Sequence, residues 1–212
     1  MTAPSGRTGR PPLTEERKAE IRLEISRAAV DLFVGQGVAA TTGEQIGQAV
    51  GVSARTVWRY FPSKESCVSP LFSAGIDAIA ARLRDWRPGQ PLEDVFAGDL
   101  ATDIRFGAGP DRSTLGALVR LTRTEPGLRA IWLQTYDEAE PAFARALADR
   151  AGLPAHDLRP TIRAAMFNAA LRAAVERFAW HTAEAEADAV TAEAELTSTM
   201  RSALAIAAEG VV

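Results

Sequence analysis

Thr41 to Lys64, TTGEQIGQAVGVSARTVWRYFPSK, constrains the fold of this 212-residue chain more tightly than any other stretch. Thr42 followed three residues later by Gln45 fits a capping box, in which two side chains satisfy amides that a helix start leaves unpaired. Ile46 and Val50 then share one face at i, i+4 spacing. Gly51 follows as a C′ residue, where a left-handed backbone carries no Cβ penalty. Ser53 is an N-cap for a second helix, and Val52 plugs the angle between the two. Phe61-Pro62 ends that helix, because a residue before proline disfavours helical dihedrals. Two short helices joined by a tight turn form a helix-turn-helix, whose second helix is shaped for a DNA major groove. Here that second helix carries Arg55, Thr56, Trp58, Arg59 and Tyr60, with Phe61 and Val57 expected in the core.

The order of residues in this stretch resembles the DNA-binding domain of the TetR family of repressors. The matching positions are Gly37, Thr41-Thr42, Ile46-Gly47, Val50-Gly51-Val52-Ser53 and Thr56-Val57-Trp58-Arg59-Tyr60-Phe61-Pro62-Ser63-Lys64-Glu65, about the first third of the chain. Three positions depart from the family pattern. Gly47 stands where alanine is usual, at about 1 kcal/mol in a helix interior. Val50 replaces a second small residue, and Trp58 replaces a tyrosine, so an indole N–H stands in for a phenol.

On this reading Arg55 is the expected base reader, since guanidinium pairs bidentately with guanine. Thr56, Trp58, Arg59 and Tyr60 complete the contact surface, Thr42 holds a phosphate at its helix start, and Lys64 and Tyr60 hold phosphates. Upstream, Arg7 and Arg10 in MTAPSGRTGRPP are candidates for a disordered arm trailing into the minor groove. A longer helix is expected from Thr14, with Ile21, Ile25, Ala28, Ala29, Leu32 and Phe33 at helical spacing and an end at Gly35 to Gly37. The expected domains are therefore an arm over 1–13, a helix-turn-helix head over 14–65, and a second domain over 66–212.

The second domain reads as an all-α bundle. After Ser63 a helix should run to about Trp86, with Pro70 kinking it or delaying its start. Further helices are expected from Leu92 to about Phe106, Arg112 to Thr124, Pro126 to Arg150 with a bend at Pro141, Asp157 to Thr182, and Ala187 to Glu209. The TetR resemblance implies that this bundle binds a small molecule and forms a homodimer through its last two helices. Ala165, Ala169 and Ala173 recur every four positions and permit close helix approach, and Leu196, Met200 and Leu204 make an apolar stripe. Either stripe would serve packing within one chain equally well. A two-fold protein matches palindromic half-sites, which favours the dimer.

Glu125-Pro126-Gly127-Leu128-Arg129 to Leu147, with Leu158-Arg159-Pro160, is similar to the C-terminal domain of actinobacterial-type TetR regulators described as acyl-CoA-like ligand binding. That similarity implies a mostly apolar cavity for an acyl or other hydrophobic effector. The residues suited to line one are Phe106, Leu118, Trp132, Tyr136, Met166, Phe167 and Asn168, large apolar groups with a few polar ones. All of them also suit plain core.

Charge fits this division. Residues 1–65 hold nine Lys/Arg against seven Asp/Glu, a balance of +2, and the remainder holds fifteen against twenty, a balance of −5. The positive end suits phosphate and the acidic end is repelled by it. The single cysteine, Cys67, forms no intrachain disulfide and is expected to be a small packed side chain. With no secretory h-region and no apolar run of about 18 residues, the expectation is a cytoplasmic protein with no membrane contact.

Enzyme readings lack residues. His156 and His181 sit in neither Glu-x-x-His nor His-Glu-x-x-His spacing, and no Gly-x-Ser-x-Gly, Walker or dinucleotide pattern occurs. No catalytic group, metal or cofactor is expected. The expectation is a ligand-responsive repressor that binds a palindromic operator as a homodimer. Two alternatives remain: a DNA-binding regulator controlled by a protein partner in place of an effector, and, more remotely, a helical enzyme or binding bundle.

Overall fold

The computed structural model describes residues 14–87, 89–90, 112–154, 156–181 and 189–209. Arg7, Arg10, Phe106 and the helix expected from Leu92 lie outside the described residues. Among those described, every regular element is helical. Three helices come first: α1 (Glu15–Gln36), α2 (Gly43–Ala49) and α3 (Ala54–Tyr60). A 3-10 turn over Glu65–Val68 leads into α4 (Ser69–Asp85). The described remainder holds α5 (Arg112–Leu121), α6 (Pro126–Ala151), α7 (Leu158–His181) and α8 (Ala189–Glu209).

Local chemistry sets most of the boundaries. Thr14 caps α1 by accepting from the Arg17 amide at 3.2 Å, and Gly37, at φ +87°, returns its N–H to the Phe33 carbonyl. The helix after Ser63 starts late, one of the two outcomes that Pro70 allowed. Ser63 and Ser66 exchange amide-to-hydroxyl bonds at 3.1 Å around the 3-10 turn, and Pro70 then takes the first turn of α4, where its missing N–H costs nothing. α6 stays helical through Pro141. Proline there is exposed, so solvent can serve the carbonyl that loses its intrahelical donor.

One apolar cluster runs from Ile25 and Phe33 in α1 through Leu71, Phe72 and Leu83 in α4 to Met200 and Leu204 in α8. Leu204 and Met200 thus face their own chain's core, which decides the purpose of that stripe. On α7, Ala169 and Ala173 point outward and Ala165 is half-buried.

Two junctions bind α4 to its surroundings. At its far end the Arg150 guanidinium lies 3.3 Å from the Trp86 ring centroid and donates to the carbonyls of Trp86, Arg87 and Gln90. At its near end the start of α6 closes on the 3-10 turn: a Cβ on Gly127 would come within 2.8 Å of Glu65 Cγ. α1 also packs on both α4 and α5. No helix among the described residues is long and apolar enough to cross a membrane.

Candidate nucleic-acid interface

The capping box at the start of α2 is complete. Thr42 Oγ1 accepts from the Gln45 amide at 3.3 Å, and Gln45 Oε1 accepts from the Thr42 amide at 2.9 Å. Gln36, at the end of α1, donates to both Thr41 Oγ1 and Gln45 Oε1 and so ties α1 to the box. Val50 and Gly51 close α2, and Gly51 takes φ +70°, the left-handed value expected of it. Ser53 then caps α3, accepting from the Thr56 amide at 3.2 Å, while its hydroxyl lies 3.1 Å from Thr56 Oγ1.

Gly47 has a structural purpose that its helix propensity hides. A Cβ there would come 2.7 Å from the Val52 carbonyl oxygen and 3.2 Å from the Ala54 amide. The Val52 amide also donates to the Gly47 carbonyl at 2.8 Å. The backbone of the turn therefore rests directly on α2, and alanine would push the two helices apart.

Val57 of α3 is completely buried and Phe61, which caps the helix, almost so, as expected. Arg55, Trp58 and Arg59 lie exposed on the opposite face, within about one quadrant of the helix at 100° per residue. Thr56 and Tyr60 flank that face and are half-buried. Arg59 reaches over the Tyr60 ring at 5.0 Å, with its guanidinium 3.5 Å from the phenol oxygen. Arg22 of α1 approaches the same ring at 5.9 Å. Arg22 is exposed and adds a cation to this surface that the sequence reading missed. No local signal marks it, since its place beside Tyr60 follows from how α1 crosses α3.

Lys64 is engaged within the protein. Its Nζ donates to the carbonyls of Val38 at 2.6 Å and Thr41 at 3.0 Å, with Ala39 at 3.5 Å. The ammonium thereby fastens the segment leaving α3 to the α1–α2 loop. Cys67 is fully buried three residues later, and desolvation, with Glu65 nearby, pushes its thiol up to about 12.

The pocket candidates of the second domain gather around α6 and α7. Trp132 stacks edge-on against Phe72 of α4 and against Tyr136, each at 4.7 Å, and Phe167 meets Phe143 at 5.1 Å. Leu118, Trp132, Tyr136, Phe167 and Asn168 are buried, and Met166 is half-buried. Glu176, buried beneath them, accepts from Arg129, from Arg172 at 3.2 Å and from Trp132 Nε1 at 2.8 Å. Burial, then the Glu176 charge, holds the Tyr136 phenol protonated well above its ordinary range. Asn168 Nδ2 donates to the Tyr136 carbonyl at 2.9 Å and to Glu140 at 3.3 Å, while its buried Oδ1 has no donor. An open cleft of about 250 Å³ lies elsewhere, between α7 and α8, lined by Arg177, Phe178, His181, Glu195, Ser198 and Thr199. Among the described residues no cluster of His, Cys, Asp and Glu is arranged to hold a metal ion.

Comparison with known proteins matches both parts of the chain. Residues 25–70 match the model of bacterial regulatory proteins of the tetR family, and residues 110–210 match the MftR C-terminal domain. The regulator TcmR of Streptomyces glaucescens is 34% identical over 166 residues, covering 75% of this chain and 73% of TcmR. This chain belongs to the TetR family. It is therefore a DNA-binding transcriptional regulator and not an enzyme. MftR of Mycobacterium tuberculosis, named for regulation of mycofactocin biosynthesis, is 25% identical over 160 residues, 74% of this chain and 79% of MftR. Two solved TetR-type folds agree in architecture. The fatty acid degradation regulator FadR of Bacillus halodurans superposes with a TM-score of 0.55 at 17% identity, covering 94% of this chain and 98% of FadR. FadR of Thermus thermophilus, solved with lauroyl-CoA, gives 0.52 at 22% identity, covering 90% and 95%. The all-α expectation, with a helix-turn-helix head and a helical second domain, agrees with these findings.

Proposed function

We propose that this TetR regulator is a ligand-responsive repressor, binding a palindromic operator as a homodimer and released by a small hydrophobic or acyl-like effector. The junction at Gly127 and Glu65 carries this reading. α6, which supplies Trp132 and Tyr136, begins against the turn that leaves α3, so displacement of those rings has a short mechanical route to the head. α4 adds a second route, since Phe72 touches Trp132 while Arg150 holds the far end of the helix. The lauroyl-CoA bound to the Thermus thermophilus relative supports an acyl effector.

In this reading Arg55, Thr56, Trp58 and Arg59 face the groove, with Tyr60 and Arg22 toward phosphate. Arg7 and Arg10 would extend into the minor groove, and the head would end near residue 65. Lys64, spent on three carbonyls, acts as an internal fastener and not as a phosphate contact. The outward Ala169 and Ala173 of α7, with the exposed Ile162 of α7 and the exposed Ile206 of α8, support a two-fold interface of these helices. Dimer heads must sit roughly 34–36 Å apart to read adjacent half-sites. An effector acts only through different affinity for the two spacings.

Regulation by a protein partner has one supporting observation. Leu118, Trp132, Tyr136 and Phe167 are packed nearly free of solvent, which leaves an effector to make its own room.

Selection of bound DNA from a random pool tests the first half of the proposal, and a titration of fatty acyl-CoAs against the selected operator tests the second. A palindromic consensus released by one chain-length class is the expected result. An asymmetric consensus refutes the dimeric mode. Release by no acyl-CoA, in a protein that still binds the operator, refutes the acyl effector.

A further inference from the structure

Gly43 opens α2 at a position where backbone geometry does not call for glycine, since its φ is not positive. Space calls for it. A Cβ on Gly43 would come 2.6 Å from Trp58 Cε2 and 2.7 Å from Cη2, and nearer still to Cζ2. The six-membered ring of the indole occupies the volume where any other side chain would begin. Gly43 is buried beneath the indole, while Trp58 itself remains 43% exposed. One part of the ring therefore rests on the first turn of α2, and the other belongs to the surface that carries Arg55 and Arg59.

We propose that Gly43 is a specificity-determining positioning residue, which seats Trp58 against α2 and thereby sets the shape of the DNA-reading face. Side chains occupy discrete rotamers, so an indole denied this seat must turn to another well. The open direction is solvent, from which DNA approaches. A single methyl group on a residue that itself cannot reach DNA would then place an indole in the path of the duplex. The same seat explains how the chain carries tryptophan at a position where the family pattern has tyrosine: the larger ring and the missing side chain are complementary. This inference rests on the proposed placement of α3 toward DNA and is independent of any effector.

The test uses the full-length protein and the operator selected from a random pool. Affinity and selected consensus are compared for wild type, Gly43→Ala, Trp58→Ala and the double variant, with Arg55→Ala as a control and thermal melts for all. Gly43→Ala should lower operator affinity tenfold or more and change the selected half-site, while its melt stays near wild type. In the Trp58→Ala background the same change should alter affinity less than twofold, because the ring it displaces is gone. An equal loss in both backgrounds overturns the proposal, as does a Gly43→Ala protein with wild-type affinity and consensus. Unfolding of Gly43→Ala alone also overturns it, since a half-exposed indole has solvent to turn into. If Arg55→Ala is silent too, the placement of α3 has failed; if only Gly43→Ala is silent, the seat has.

Discussion

Removing the Glu176 carboxylate is the sharpest perturbation of the second domain. Its Oε1 serves three donors, Trp132 Nε1 and the guanidiniums of Arg129 and Arg172. Trp132 is only 3% exposed, so Glu176→Ala strands a buried indole N–H at about 1–3 kcal/mol. The arginines, with side chains 31% and 30% exposed, keep solvent contact, and each lost pair costs only about 0.5–1 kcal/mol after screening. The expected total is about 2–5 kcal/mol. For a chain of this size that lowers Tm by on the order of 10 °C. Glu176→Gln retains an acceptor for the indole and removes only the charge, so about 1–2 kcal/mol of loss should remain. The assay is denaturant and thermal unfolding followed by circular dichroism at fixed protein concentration, because any association shifts the midpoint. The informative quantity is the difference between the two variants. Equal losses would show that charge, not the indole bond, sets the cost. Two variants within 0.5 kcal/mol of wild type would refute the role of the network altogether.

Arg55→Ala should weaken binding to the selected operator by about 1–3 kcal/mol while leaving binding to random DNA unchanged; equal loss on both would refute base readout. Lys64→Met should destabilise the head by about 2–3 kcal/mol, since charged hydrogen bonds to Val38 and Thr41 are lost. Its salt slope for DNA binding should match wild type, whereas a phosphate contact would lower the slope by about 1. Cys67, with its thiol pushed up to about 12, should resist iodoacetamide at pH 8 in the native protein and react once the chain is unfolded. Native-state alkylation at the rate of a free thiol would contradict the burial.

The helix boundaries of the head were legible because each rests on groups close in sequence. Thr42 with Gln45, Ser53 with Thr56, and Gly51 at its positive φ all act within a few residues. The long helices among the described residues were legible to within a few residues for the same reason, and the late start of α4 is one of the two outcomes Pro70 allowed. Local sequence does not state whether the carbonyl stranded by Pro141 will face solvent, and α6 runs on through that residue. The Leu196, Met200 and Leu204 stripe was ambiguous in principle, since periodicity names a buried face without naming what covers it.

The sequence by itself determined the all-α class, the helix-turn-helix and the residues of its outward face, all of which follow from caps, periodicity and residue order. Only the tertiary structure decided what the long-range neighbours do. Lys64 reads as a free cation until the α1–α2 loop brings three carbonyls to it. Glu176 reads as one more helical acid until Arg129 and Trp132 converge on it from another helix. Gly47 and Gly43 read as weak helix formers until a backbone turn and an indole are found in the space a Cβ would need. In each case the deciding partner is distant in sequence or lies across a helix crossing. Crossing geometry is set by packing of the whole core, which no local pattern encodes.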